Sequence, residues 1–171
     1  MKNIILIGFM GAGKTTVGKL LARERGMKFI DTDERIEAEQ EKSIPDLFAE
    51  YGEPYFRDLE TGLLKKMQDD TSGAVISVGG GMPVRKENRT LLRNLGCVVY
   101  LSATEETILN RVKGDGSRPM LNGEDLEARV EKLMQDREAL YRQAAHLDIR
   151  TDRRSVYQVL QIIDQEMRRF S

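Results

Sequence analysis

The chain has one cysteine, one histidine and no tryptophan in 171 residues. With Cys97 alone, no disulfide can close within it, and a reducing compartment, the cytoplasm, is expected. Cys97 stands in the apolar run Cys97-Val98-Val99-Tyr100-Leu101 and reads as a buried, inert thiol. The single histidine, His146, opens a predicted strand without an obvious partner, which argues against a histidine triad or a zinc cluster. No apolar run approaches the ~20 residues that span a membrane. The N-terminus runs straight into a strand and does not read as a signal peptide. A formal net charge of −1 lacks the basic excess of non-specific nucleic-acid binding. Neither nucleic acid nor membrane is therefore expected as a partner.

What is present is a globular composition, 40% hydrophobic and 32% charged, long enough for one domain, 1–171, with its own core. Its most informative stretch is Gly8-Phe9-Met10-Gly11-Ala12-Gly13-Lys14-Thr15, which fits the phosphate-loop pattern G-x-x-x-x-G-K-[ST] at every required position. A chain of this length matches by chance less than roughly 1% of the time, so the match points to a real phosphate site. Asn3–Ile7 before it reads as a buried strand, and Val17–Ala22 after it continues as a helix. Free amides and the positive end of the helix dipole would then face an anion. Lys14 would reach the β- and γ-phosphates, and the Thr15 hydroxyl would serve Mg²⁺.

Strand-like and helix-like stretches alternate without repeats or long linkers. Strands are predicted at Asn3–Ile7, Lys28–Asp31, Ala74–Val78, Cys97–Leu101 and His146–Ile149. Helices are predicted at Lys14–Glu24, Asp33–Gln40, Ser43–Tyr51, Glu53–Gln68, Arg85–Asn94, Ser102–Val112, Glu124–Ala144 and Ser155–Arg169. This alternation implies an α/β fold, a parallel sheet covered on both faces. Ser43 ahead of Pro45 and Asp46 resembles a capped start, and Ser102 with Glu105 fits a capping box. Val156, Leu160, Ile163 and Met167 recur at helical spacing as one buried stripe.

Ligands of such sheets bind beyond the carboxyl ends of the strands. Three segments fall on that edge: the phosphate loop, Asp31-Thr32-Asp33 and Gly79-Gly80-Gly81. In an extended chain Asp31 and Asp33 would point the same way. One would hold Mg²⁺ or its waters and the other a substrate hydroxyl, unless the pair merely caps the next helix. The glycine triplet would let a ligand approach the backbone closely, or is a plain turn. Arg137 falls in the middle of the apolar stripe Leu126, Val130, Leu133, Leu140 and Ala144. A lone buried charge there is costly, so it needs an anionic partner, from the protein or from a ligand. Arg57 flanks the stripe Phe56, Leu59, Leu63 and Met67, with Glu60 in reach three residues on. Together Arg57 and Arg137 would hold a carboxylate by forked hydrogen bonds. The segment 111–123, rich in glycine and cationic side chains, suits a lid over phosphates or a plain surface loop.

In order and at family spacing, Gly8–Thr15, Asp31-Thr32-Asp33, Gly52-Glu53 with Phe56-Arg57, Gly79–Gly81, Arg118-Pro119-Met120-Leu121 and Arg137 with Leu140-Tyr141 resemble shikimate kinases. The resemblance runs nearly end to end. It implies a three-layer P-loop kinase fold with a five-stranded parallel sheet, helices on both faces and a flexible lid at about 112–123. It implies transfer of the ATP γ-phosphoryl group to the 3-hydroxyl of shikimate, with Mg²⁺ as cofactor, in a monomeric enzyme of aromatic amino-acid biosynthesis. By the same resemblance Gly11, Ala12, Gly13, Lys14, Thr15 and Thr16 would bind ATP, with Arg111 and Arg154 near adenine. Asp31 and Thr15 would serve the metal. Asp33, Arg57, Gly79, Gly80, Gly81 and Arg137 would bind shikimate. Lys14, Asp33 and Arg118 would be catalytic, Arg118 reaching the phosphates from the lid. Met120 stands where leucine is commoner in the family, an exchange of similar volume. A gluconate kinase of the same group, or a nucleotide-dependent regulator without transfer activity, are the alternatives.

Overall fold

The computed structural model describes residues 2–113 and 125–170. Five strands form one sheet: β1 (Asn3–Ile7), β2 (Lys28–Asp31), β3 (Ala74–Ser77), β4 (Gly96–Ser102) and β5 (Leu147–Arg150). Their order is β2-β3-β1-β4-β5, and every neighbouring pair is parallel. Parallel strands need crossovers, and helices supply them: α1 (Lys14–Arg25), α2 (Thr32–Gln40), α3 (Ile44–Tyr51), α4 (Glu53–Asp70), α5 (Lys86–Leu95), α6 (Glu105–Val112), α7 (Leu126–Ala144) and α8 (Val156–Phe170). All of β1 is buried, as are six consecutive residues of β4. This is why both strands read as unbroken apolar runs rather than alternating ones. Because the strands run the same way, the loops after β1, β2 and β3 all emerge at one edge of the sheet.

The opposite edge is tied by Asn3. Its side-chain amide donates to Thr71 O and Leu95 O, and its carbonyl oxygen accepts from Ala74 N, each at 3.0 Å. These bonds fix the ends of α4 and α5 and the start of β3 against β1. Gly96 pairs with Asn3 in the sheet so closely that a Cβ on it would overlap Asn3 O.

Each predicted strand and helix exists, with ends within a few residues of expectation. Ser43 caps α3 by accepting from Asp46 N. On α8 the most buried residues are Val159, Leu160 and Ile163. The capping box at Ser102 does not form. Ser102 remains in β4, where its hydroxyl donates to Asp148 on β5 at 2.7 Å. Thr104 caps α6 instead, accepting from Thr107 N, and is itself held by Asp152. The sheet claimed Ser102 because its pairing with Arg150 outweighs a local cap. The Asp31/Asp33 geometry also differs from the extended pair expected. Asp31 is the N-cap of α2, accepting from Asp33 N at 2.9 Å and Glu34 N at 3.2 Å, and Asp33 is already helical. A short 3-10 turn, Met82–Val84, follows the glycine triplet unannounced by the sequence.

His146 does have a partner, the backbone of β4. Its Nδ1 accepts from Val98 N at 2.9 Å, and its own N–H donates to Val98 O at 2.8 Å. Burial and the nearby Arg93 and Lys2 push its pKa down, in keeping with a ring nitrogen that must stay unprotonated to accept.

Replacing Gly96 by alanine is expected to cost about 1–3 kcal/mol by overpacking, because the obstacle is main chain and cannot rotate away. The thermal midpoint should fall by about 2–4 °C for each of those kcal/mol. An unchanged midpoint would show that the edge relaxes freely.

Candidate functional site

Two adjoining cavities open at the carboxyl edge of the sheet. The first, about 320 Å³, lies between the phosphate loop and Asp31, Asp33 and the start of the glycine triplet. The second, about 500 Å³, continues from it past Arg57, Glu60 and Arg137 to a wall of Ile44, Pro45, Phe48 and Phe56. Met10, Asp33, Gly79 and Gly80 line both, so the two spaces are contiguous.

The phosphate loop leaves β1 and enters α1 through Gly13, whose left-handed backbone (φ 94°) suits glycine. No side chain caps α1. Its first-turn amides, with the positive end of the helix, are therefore available to an anion in the first cavity. Lys14, Thr15 and Thr16 line the same space. The Lys14 ammonium donates to Gly8 O at 2.6 Å and Phe9 O at 3.1 Å, curling over the loop. Ala12 is buried with its side chain in the core, which leaves only its main chain for a ligand. Arg111, at the end of α6, donates to Gly11 O at 2.8 Å and braces the loop from outside.

Asp33 joins the two cavities. Its Oδ1 is buried and has no hydrogen-bond partner in the structure. Burial, together with the neighbouring Asp31 carboxylate, pushes its pKa up to about 6, against the pull of Lys14 and Arg57. A Cβ on Gly79 would stand 2.7 Å from that Oδ1 and 3.1 Å from Glu60 Oε2. The two carboxylates thus crowd the same bare stretch of backbone. On Gly81 a Cβ would overlap the Arg57 guanidinium. Gly79 and Gly81 are glycine because charged groups occupy the space that their side chains would need.

Arg57 is held from two sides. Nη1 donates to Glu60 at 2.7 Å, and Nε and Nη2 donate to Glu53 at 3.3 and 3.1 Å. Glu60 is fully buried, and burial raises its pKa to about 7 even though Arg57 opposes the shift. Its Oε2 has no partner. Arg137 is 5% exposed, and its Nη1 is likewise without a partner. Phe9 lies beneath its guanidinium, 6.0 Å to the ring centroid. Arg57, Arg137, Asp33 and Glu60 thus cluster around the glycine triplet, with hydrogen-bonding capacity left on three of the four.

The fold brings most of the expected residues to this edge. Gly11, Gly13, Lys14, Thr15, Thr16, Asp31, Asp33, Arg57, Gly79, Gly80, Gly81 and Arg137 line one or both cavities. Arg154 does not line them; it is exposed on the loop after β5 and donates back to Arg150 O at 2.7 Å. Arg118 and all of the expected lid beyond Lys113 lie outside the described residues. Glu60 was expected as a partner for Arg57, which it is, but its place in the cavity wall, like that of Met10, escaped sequence reasoning. The signal for Glu60 was available: Phe56, Glu60, Leu63 and Met67 share one helical stripe. A charge in an apolar stripe is the feature that singled out Arg137. Leu59, taken for that stripe, is only half-buried.

Comparison with known proteins agrees with this geometry. The family model described as shikimate kinase matches residues 10–168. A shikimate kinase from Persephonella marina is 42% identical over 160 residues, covering 94% of this chain and 95% of that protein. The structure of shikimate kinase from Acinetobacter baumannii in complex with shikimate superposes with a TM-score of 0.92 at 38% identity, covering 98% of this chain and 93% of the other. Deoxyadenosine kinase from M. mycoides with bound dATP matches with a TM-score of 0.65 at 16% identity over 97% of this chain and 99% of the other, a likeness of fold alone. A match that runs from the phosphate loop into the last helix, at such identity, means that the chain belongs to the shikimate kinase family.

Proposed function

We propose that this chain uses ATP to phosphorylate the 3-hydroxyl of shikimate, giving shikimate 3-phosphate and ADP for aromatic amino-acid biosynthesis. The observation that carries the reading is a pair of buried, unpartnered atoms, Asp33 Oδ1 and Arg137 Nη1, on a cavity that opens into the phosphate loop. Such atoms are costly unless a ligand satisfies them. A molecule with a carboxylate at one end and hydroxyls at the other does so. The apolar wall of Ile44, Pro45, Phe48 and Phe56 suits the hydrocarbon face of a ring better than an open-chain polyol. This favours shikimate over gluconate, which shares the carboxylate.

In this reading the phosphates of ATP rest on the first-turn amides of α1. Lys14 exchanges its contacts with Gly8 O and Phe9 O for phosphate oxygens. Arg57 and Arg137 grip the substrate carboxylate, so the ring is presented with its hydroxyls towards Asp33. Asp33 orients the 3-hydroxyl and accepts its proton as the phosphoryl group arrives. With a pKa near 6, it is ionised at neutral pH yet basic enough to take that proton. Arg111 and Arg154 are assigned to the adenine end and, by the family resemblance, Arg118 to the transferring phosphoryl group.

Among the described residues no group of three or more histidine, cysteine or acidic side chains is placed to hold a metal ion. The Thr15 hydroxyl and Asp31 beside the phosphate loop form the sparse oxygen set that suits Mg²⁺ arriving with a nucleotide. Bound there, Mg²⁺ would neutralise charge on the β- and γ-phosphate oxygens. The resemblance to shikimate kinases and the lone cysteine support a reading of one kinase domain, monomeric and cytoplasmic.

Purified protein with ATP and Mg²⁺ is expected to release ADP when shikimate is added and only at background with gluconate. The reverse preference would overturn the substrate assignment. Arg137→Ala should raise the KM for shikimate about 10- to 100-fold, the scale of a lost charged hydrogen bond. The KM for ATP should stay within about twofold, since Arg137 does not line the phosphate cavity. An equal rise in both would instead mark Arg137 as a folding residue.

Asp33→Asn should lower kcat by about 10²- to 10⁴-fold and at the same time stabilise the protein. The raised pKa means that the folded state resists ionising Asp33. That penalty is complete above pH 6 and vanishes below the ordinary value of 3.8. Asparagine escapes it. The variant's thermal midpoint should therefore exceed the wild type's by a few degrees at pH 8, with the gap closing between pH 6 and pH 4. A lower midpoint at pH 8 would show that Asp33 is a structural anchor.

A further inference from the structure

We propose that Tyr141 is a positioning residue for substrate recognition, its hydroxyl setting the orientation of the Gly80–Gly81 peptide and the seat of the Arg137 guanidinium. The inference rests on the function proposed above. Tyr141 lines neither of the two joined cavities. It stands behind them on α7, one helical turn after Arg137, and is 1% exposed. Its hydroxyl donates to Gly80 O at 2.6 Å. A Cβ placed on Gly80 would lie 3.5 Å from Arg137 Nη1 and 3.6 Å from Tyr141 Oη. One small region of backbone is thus bounded by the clamp arginine and the phenol together.

The glycine triplet needs such an anchor. Without side chains, its peptide planes have no steric preference to hold them. The flanking groups are fixed: Gly79 N donates to Thr32 Oγ1 at 3.3 Å, Gly79 O accepts from Met82 N at 3.1 Å, and Gly81 O accepts from Val84 N at 3.2 Å. The middle carbonyl, Gly80 O, is held by Tyr141. No peptide bond among the described residues is cis, so the Gly81 N–H points opposite to Gly80 O. By drawing that oxygen towards α7, Tyr141 turns the Gly81 amide the other way. Loss of the phenol oxygen frees this peptide to rotate.

The same oxygen faces Arg137, whose charge stabilises the phenol's negative end, but burial outweighs it and lifts the pKa to about 12. The proton stays on Tyr141 at any working pH, so it remains a donor to Gly80. Its ring packs on Tyr100, 5.2 Å between centroids, which a phenylalanine in its place would retain.

The test is Tyr141→Phe, assayed by shikimate-dependent ADP release beside the wild type. The KM for shikimate should rise about three- to tenfold, the effect of one neutral hydrogen bond. The KM for ATP should stay within about twofold. Tyr141→Met, which also lacks the oxygen, gives the same readout if the phenylalanine variant does not fold. An unaltered KM for shikimate, or parallel rises in both KM values, would overturn the positioning role while leaving the function intact. A wild-type protein inert towards shikimate would overturn both.

Discussion

Asp33, Glu60, Arg57 and Arg137 gather around three residues without side chains, and the rest of the site follows from that crowding. Each group is withdrawn from water, where a charge would be well solvated. Arg57 and Glu60 compensate one another by a direct pair at 2.7 Å. Asp33 and Arg137 each keep a buried polar atom without a partner. Burial raises the pKa of both carboxyl groups. A side chain at Gly79 or Gly81 would push the charges apart or out of the cavity, so the bare backbone and the buried ions require one another.

The two arginines of the proposed clamp are therefore not equivalent. Arg57 is oriented before any ligand arrives, because Glu60 and Glu53 occupy most of its fork. Its contribution is geometric, a cation whose direction is already settled. Arg137 sits on Phe9 and faces the Tyr141 hydroxyl, with Nη1 unpartnered, so that one nitrogen is open to something that enters. One fixed guanidinium and one receptive one can align a carboxylate with little freedom left to lose. The phosphate loop supplies the other half by a different means. Main-chain amides at a helix start have a direction set by the fold and need no ordering of long side chains.

Much of this was legible in the residues. Three of the five strands, β1, β3 and β4, announced themselves because they are covered on both faces and so read as continuous apolar runs. Arg137 was legible as a charge in an apolar helical stripe. What stayed hidden depends on pairing across the sheet or between distant segments. Ser102 looked like a cap by local pattern, but its alignment with Arg150 keeps it in β4. His146 seemed partnerless because its partner is the main chain of Val98. Asp31 and Asp33 seemed an extended pair because α2 begins one residue earlier than the pattern suggests, and a single residue changes which way a side chain points.

The expense of the site is carried by its surroundings. Asn3 ties three chain segments at the far edge through both ends of its amide. The fully buried β1 runs from there to the phosphate loop. Buried, half-satisfied ions can persist only where the backbone around them cannot give way. A looser sheet would let Asp33 and Glu60 move into water, recover their ordinary acidity and lose their alignment. The buried strand and the strained cluster at its carboxyl end are thus one arrangement: rigidity at one edge keeps unsatisfied charge waiting at the other.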